Sequence, residues 1–176
     1  MQKKMFSFIS VLMILAMMFV AMPVSQAQAA SQVVYDSLLS PLPANVASVG
    51  FQATSTSEFG DYIHLSSGSN RLLQTITVTM SDWAKHSEYP SLPDAGFDHP
   101  ITVNIYSVVK GSPNTVGSLI ASKTQTFTIP WRPEADPTCA TPSKWRASDG
   151  VCYNGFAFNI TFDLSSLLVT LPDAVI

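Results

Sequence analysis

From Trp131 to Cys152 the chain reads WRPEADPTCATPSKWRASDGVC, a stretch that holds both of its cysteines and two of its three tryptophans. Trp131 and Trp145 are suited to present flat apolar faces to a sugar ring, with Arg132, Asp136, Arg146 or Asp149 bonding its hydroxyls. The same residue types also serve structure. An indole can cover the end of a core, and Arg132 can stack on it or pair with Glu134 or Asp136. Pro130, Pro133, Pro137 and Pro142 stiffen the stretch, so it is preorganised whichever role it has.

A second group lies between Ser81 and Pro100: Asp82, Trp83, His86, Glu88, Asp94, Asp98 and His99. An EF-hand needs oxygen ligands at fixed spacing with a central glycine and a terminal glutamate, and that pattern is missing. Zinc calls for three or four ligands, typically with paired histidines, and no H-E-x-x-H occurs. The plain expectation is a solvated loop. A structural calcium ion, if one is held, would take Asp94 and Asp98; no other cofactor is implied.

Signals for catalysis are weak. Glycoside hydrolysis needs one carboxyl of raised pKa beside one of ordinary pKa across a cleft, and the acidic residues here are scattered over turns. The serine-nucleophile pattern G-x-S-x-G is absent, and Gly68-Ser69 reads as turn chemistry. The expected function is a non-catalytic module, structural or ligand-binding, with carbohydrate as the ligand class. A secreted hydrolase acting on polysaccharide through loop carboxylates is the alternative, and an adhesion or assembly subunit is a third.

The chain around these groups reads as exported. Lys3 and Lys4 precede an apolar run from Met5 to Met22, Pro23 stops it, and Ala27-Gln28-Ala29 suits a signal peptidase. Residues 1–29 are therefore expected to be a signal peptide and residues 30–176 one domain, secreted or at the cell surface. If uncleaved, the leader would be the membrane contact. Without it, seven basic residues face twelve acidic ones, a net charge of about −5, which argues against nucleic acid and anionic lipid as partners. Glycans or cell-surface components remain the expected partners. Export also predicts that Cys139 and Cys152 pair, closing a loop worth about 3 kcal/mol in the chain-entropy view.

The elements that must position these loops are strands. In LLQTITVTM, Ile76, Val78 and Met80 alternate with threonines, and ITVNIYSV repeats the pattern with Ile101, Val103 and Ile105. Further strands are expected at residues 32–36, 47–53, 63–65, 119–129 and 156–164, separated by proline and glycine clusters. Many strands without helical spacers predict an all-β, antiparallel β-sandwich, jelly-roll-like or immunoglobulin-like. The two long loops, 81–100 and 130–154, are where a local function would sit. LPDAVI ends on what reads as a strand beginning, so the domain is expected to be cut short there, with an exposed sheet edge near residues 171–176.

Several segments together resemble a family. Val34–Leu38 (VYDSL), Phe59–Asp61 (FGD), Ile101–Tyr106 (ITVNIY) and Thr126–Pro133 (TFTIPWRP), followed by Cys139, Trp145 and Cys152, are similar to segments of secreted or surface-anchored bacterial β-sandwich domain proteins of no established function. The resemblance implies an exported β domain and assigns no catalytic residue. Members can carry cysteines in the loop after the V-T-M strand, where this chain has Lys85 and His86.

Overall fold

A computed structural model describes residues 32–68 and 71–176, without the side chains of residues 51 and 52. The leader expected at residues 1–29 lies outside the described residues. The chain is all-β apart from single helical turns, and its sheets are antiparallel. The strands are β1 (Ile63–His64), β2 (Thr75–Asp82), β3 (Phe97–Val109), β4 (Thr115–Ile129), β5 (Trp145–Arg146), β6 (Cys152–Tyr153), β7 (Phe156–Asp163) and β8 (Ala174–Val175). One sheet runs β1-β8-β3-β4, while β2 pairs with β7 and β5 with β6.

Alternation places the apolar rows where they are buried. Ile105 of β3, Ala121 of β4, Val175 of β8, and Ile160 and Phe162 of β7 form one buried cluster with Leu65, Leu73, Leu164 and Leu171. Ile76 and Met80 of β2 pack against it. Phe127 of β4 meets Phe162 edge to face with ring centroids 4.8 Å apart, an arrangement favoured by the ring quadrupoles. The threonine rows lie on the other faces and bond across the strands. Thr77 Oγ1 lies 2.9 Å from Thr161 Oγ1, Thr102 Oγ1 lies 2.7 Å from Thr124 Oγ1, and Thr79 Oγ1 donates to Asn159 Oδ1 at 2.8 Å. Val78, expected inward with Ile76 and Met80, stays 38% exposed.

Four sequence expectations need correction. Residues 32–36 form no strand, although the Val34 carbonyl accepts from Ser66 N–H at 2.8 Å. Residues 47–53 form none either: the Gly50 carbonyl accepts from both N–H and Oγ1 of Thr54, winding Phe51–Thr54 into one helical turn. β3 begins at Phe97 and runs through Pro100. β8 pairs with β3 only at Ser107, so among the described residues the strand has an unpartnered side near Pro100, where a missing donor costs nothing. Finally, residues 174–175 form no open edge, because β8 sits between β1 and β3, and Ile176 and Tyr106 exchange backbone hydrogen bonds at 3.1 and 2.7 Å.

Gly96 shows how tightly the first long loop enters β3. Its φ is +141°, and a Cβ there would lie 2.2 Å from the Ile129 carbonyl oxygen. Only glycine permits both.

Candidate functional site

The two long loops meet through Arg132. This residue is only 6% exposed. Its Nε donates to the Trp83 carbonyl at 2.8 Å, Nη2 to Ser143 at 2.8 Å and Nη1 to Pro133 at 3.4 Å, while its backbone N–H donates to Ala84 at 3.0 Å. A planar fork of donors suits such a cluster of carbonyls, and a lysine could not match it. A second tie runs from Glu134, which accepts from Ser87 N–H at 3.0 Å and Ser87 Oγ at 2.8 Å. Those two bonds hold the Glu134 carboxyl below its usual pKa, the hydroxyl contributing most.

Trp131 and Trp145 lie in different aromatic clusters and share no platform. The Trp131 ring stacks on Tyr89 at 5.8 Å, tilts against Phe97 at 4.8 Å and His86 at 5.7 Å, and donates from Nε1 to the Pro93 carbonyl at 2.9 Å. Trp145 is buried, donates to the Gly155 carbonyl at 2.8 Å, and packs on Tyr153 and Phe156. Both indoles therefore cover structure. On the first loop, Trp83 at 56% and Tyr89 at 50% are exposed. Nothing in the residue types sets Trp83 apart from the other two tryptophans, since exposure depends on what packs above each ring.

The remaining candidates form one lattice around the disulfide. Cys139 and Cys152 are bonded, with Cα atoms 6.0 Å apart. Asp136 Oδ1 accepts from Thr138 N–H at 2.7 Å and Thr138 Oγ1 at 2.6 Å, and its Oδ2 lies 3.3 Å from Arg146 Nε. The Thr138 hydroxyl, then its N–H, holds the Asp136 carboxyl below its usual pKa. Arg146 also donates from Nη1 to Gly150 at 2.7 Å and from Nη2 to Thr138 at 3.0 Å. Asp149 accepts from Val151 N–H at 2.8 Å and Tyr153 OH at 2.7 Å, which lowers its pKa.

Asp94 and Asp98 have different partners. Asp94 lies 3.4 Å from His86 Nε2 with its carboxylate exposed, whereas Asp98 accepts from Thr128 Oγ1 at 2.7 Å. Among the described residues no group of three or more His, Cys, Asp or Glu side chains could hold a metal ion.

Two features escaped the sequence reading. A cavity of about 210 Å³ opens between β2, β7 and the start of β3, lined by Met80, Asp82, Phe97, His99, Ile129 and Phe158. Asp82 Oδ1 accepts from Ala84 N–H at 3.2 Å, while Oδ2 is buried without a hydrogen-bond partner. Burial pushes this carboxyl above its usual pKa, against the pull of the backbone donors and Arg132. The other feature is Glu58, which accepts from Asn104 Nδ2 at 2.8 Å and from Tyr106 OH at 3.2 Å. Both depend on contacts far apart in sequence.

The class defined is an all-β antiparallel domain with a disulfide-stapled loop. Compared with known proteins, the chain matches no family profile, no curated protein and no solved structure. The resemblance to secreted bacterial β domains thus rests on its sequence segments alone.

Proposed function

We propose that this chain is an exported, non-catalytic β-sandwich module, jelly-roll-like or immunoglobulin-like, that serves a structural role outside the cell. The carrying observation is Arg132: its buried guanidinium ties Trp83, Pro133 and Ser143 together, so the two long loops form one rigid cap. Internal partners engage Arg132, Asp136, Arg146 and Asp149, as expected where loops are built to hold a shape. The Cys139–Cys152 disulfide supports an oxidising compartment. Among the described residues no helix is long and apolar enough to cross a membrane.

A second reading is carbohydrate recognition, favoured by Trp83 and Tyr89, exposed aromatics on a loop that Arg132 and Glu134 hold still. Stacking on sugar rings needs such preorganised apolar faces. A glycan array probed with the purified chain and with a folded Trp83→Ala, Tyr89→Ala variant separates the two. The scaffold reading expects no retained glycan. A glycan held by the parent and lost by the variant transfers the function to recognition. Polysaccharide cleavage abolished by Asp82→Asn would replace both readings with a hydrolase.

A further inference from the structure

The outer side of β2 is an unprotected sheet edge. Even-numbered residues of this strand turn their backbone groups to β7: its ladder runs from Thr75↔Asp163 to Asp82↔Phe156 without a register shift, and the Gln74 carbonyl accepts from Leu164 N–H at 2.8 Å. Odd-numbered residues turn outward. Just before the strand, the Leu73 N–H and the Arg71 carbonyl bond the Val169 carbonyl and the Leu171 N–H on that outer side. From Thr75 to Ser81 the cover stops, and it resumes at Trp83, whose carbonyl accepts from Arg132 Nε at 2.8 Å. Among the described residues, no hydrogen bond reaches the outward backbone groups of Thr75, Thr77, Thr79 or Ser81.

Two other margins carry devices that keep sheets apart. The β3–β4 ladder is broken by irregularities at Ile105/Tyr106 and Tyr106/Val108, and Lys123 sits on β4. The outer side of β7 is met by the Ala44 carbonyl, which accepts from Ala157 N–H at 3.0 Å, and by Gln125, which bonds both Thr161 and Asp163. By contrast, the TITVTMS segment of β2 has no charge, no proline and no bulge. Val78, on the same side of the strand as Ile76 and Met80, is 38% exposed, as an apolar residue is when its layer lacks the next strand.

We propose that this edge pairs antiparallel with the β2 edge of a second copy, across a two-fold axis at Val78. The register is self-complementary. With Val78 opposite Val78, Thr77 faces Thr79 and Thr75 faces Ser81 of the other copy, so all outward-turned residues fall in hydrogen-bonded pairs, about eight bonds in all. Val78 meets its mate in a non-hydrogen-bonded pair, where side chains come closest. Ile76 faces Met80, and Asp82 faces Gln74, so no like charges oppose one another within the strand. The first such pair, Arg71 against Lys85, falls outside it. Beyond the strand, Val169 already bonds the outer side of Leu73 and Arg132 the carbonyl of Trp83, so the paired stretch is limited to residues 75–81.

Sedimentation of protein purified from cells expressing the full chain, across micromolar to near-millimolar concentration, tests the pairing. The expected result is a reversible dimer that Val78→Lys weakens about a hundredfold or more, because two ammonium groups then meet on the axis. Val78→Cys is expected to give a disulfide-linked dimer under mild oxidation, and Thr75→Cys is not, since position 75 faces Ser81. A monomer at every concentration overturns the proposal. So does a dimer indifferent to Val78→Lys in a variant whose circular dichroism is unchanged, and so does equal cross-linking from positions 75 and 78.

Discussion

Arg132 Nε and the carbonyl of Trp83, 49 positions apart in the chain, are joined by a 2.8 Å hydrogen bond beneath the surface of the loop cap. The bond carries a full charge into a nearly closed site, where an unpartnered carbonyl is costly. Arg132→Met is therefore expected to cost about 2–4 kcal/mol, and Arg132→Lys to recover less than half of that. Denaturant unfolding of the three proteins checks both. A loss below about 0.5 kcal/mol would place the hydrogen-bonded fork outside the forces that hold the cap.

Removing the disulfide should loosen the cap and spare the core. Cys139→Ser with Cys152→Ser is expected to lower stability by about 2–4 kcal/mol, because the unfolded chain regains the freedom of the closed loop. The strands that bury Phe162 and Leu164 lie outside that loop, so the far-ultraviolet circular dichroism spectrum should be unchanged. Non-reducing mass spectrometry of the parent should find no free thiol.

Gly96→Ala should be among the costliest single-methyl additions in the chain. The new Cβ would lie 2.2 Å from the Ile129 carbonyl oxygen at a φ of +141° that side chains avoid. A loss of about 2 kcal/mol or more is expected by thermal unfolding. A fully stable variant would contradict the close approach of the loop to β4.

Acid should destabilise the cap. Hydrogen bonds hold Glu134, Asp136 and Asp149 below their usual pKa values, which are 4.5 for Glu and 3.8 for Asp. Their contribution is complete above those values and is lost as pH falls through the lower folded ones. Asp82 runs the other way: its raised carboxyl favours the fold below 3.8 and loses that contribution as pH rises through its folded pKa. Melting temperature should thus drop on acidification. Asp136→Asn should flatten the drop, and Asp82→Asn should raise stability at pH 7 with the gain vanishing in acid.

The strands most legible in the sequence were those with a clear period of two. Ile101, Val103 and Ile105 and the run from Phe156 announced β3 and β7, because a half-buried strand must alternate. Residues 47–53 misled, since β-branched and apolar types favour a strand only where a neighbouring strand can receive their hydrogen bonds. Val78 misled for a related reason: alternation chooses a face, and burial depends on what covers it.

The sequence by itself determined the all-β class and the Cys139–Cys152 pair, because both follow from local pattern and from the lack of any other cysteine. Tertiary structure alone decided that Trp131 and Trp145 are packed apart, that Arg132 is buried among carbonyls, that Trp83 is the exposed indole and that β2 keeps an open edge. Residue type sets what a side chain can do, and only contacts between distant segments settle which of its groups are already engaged.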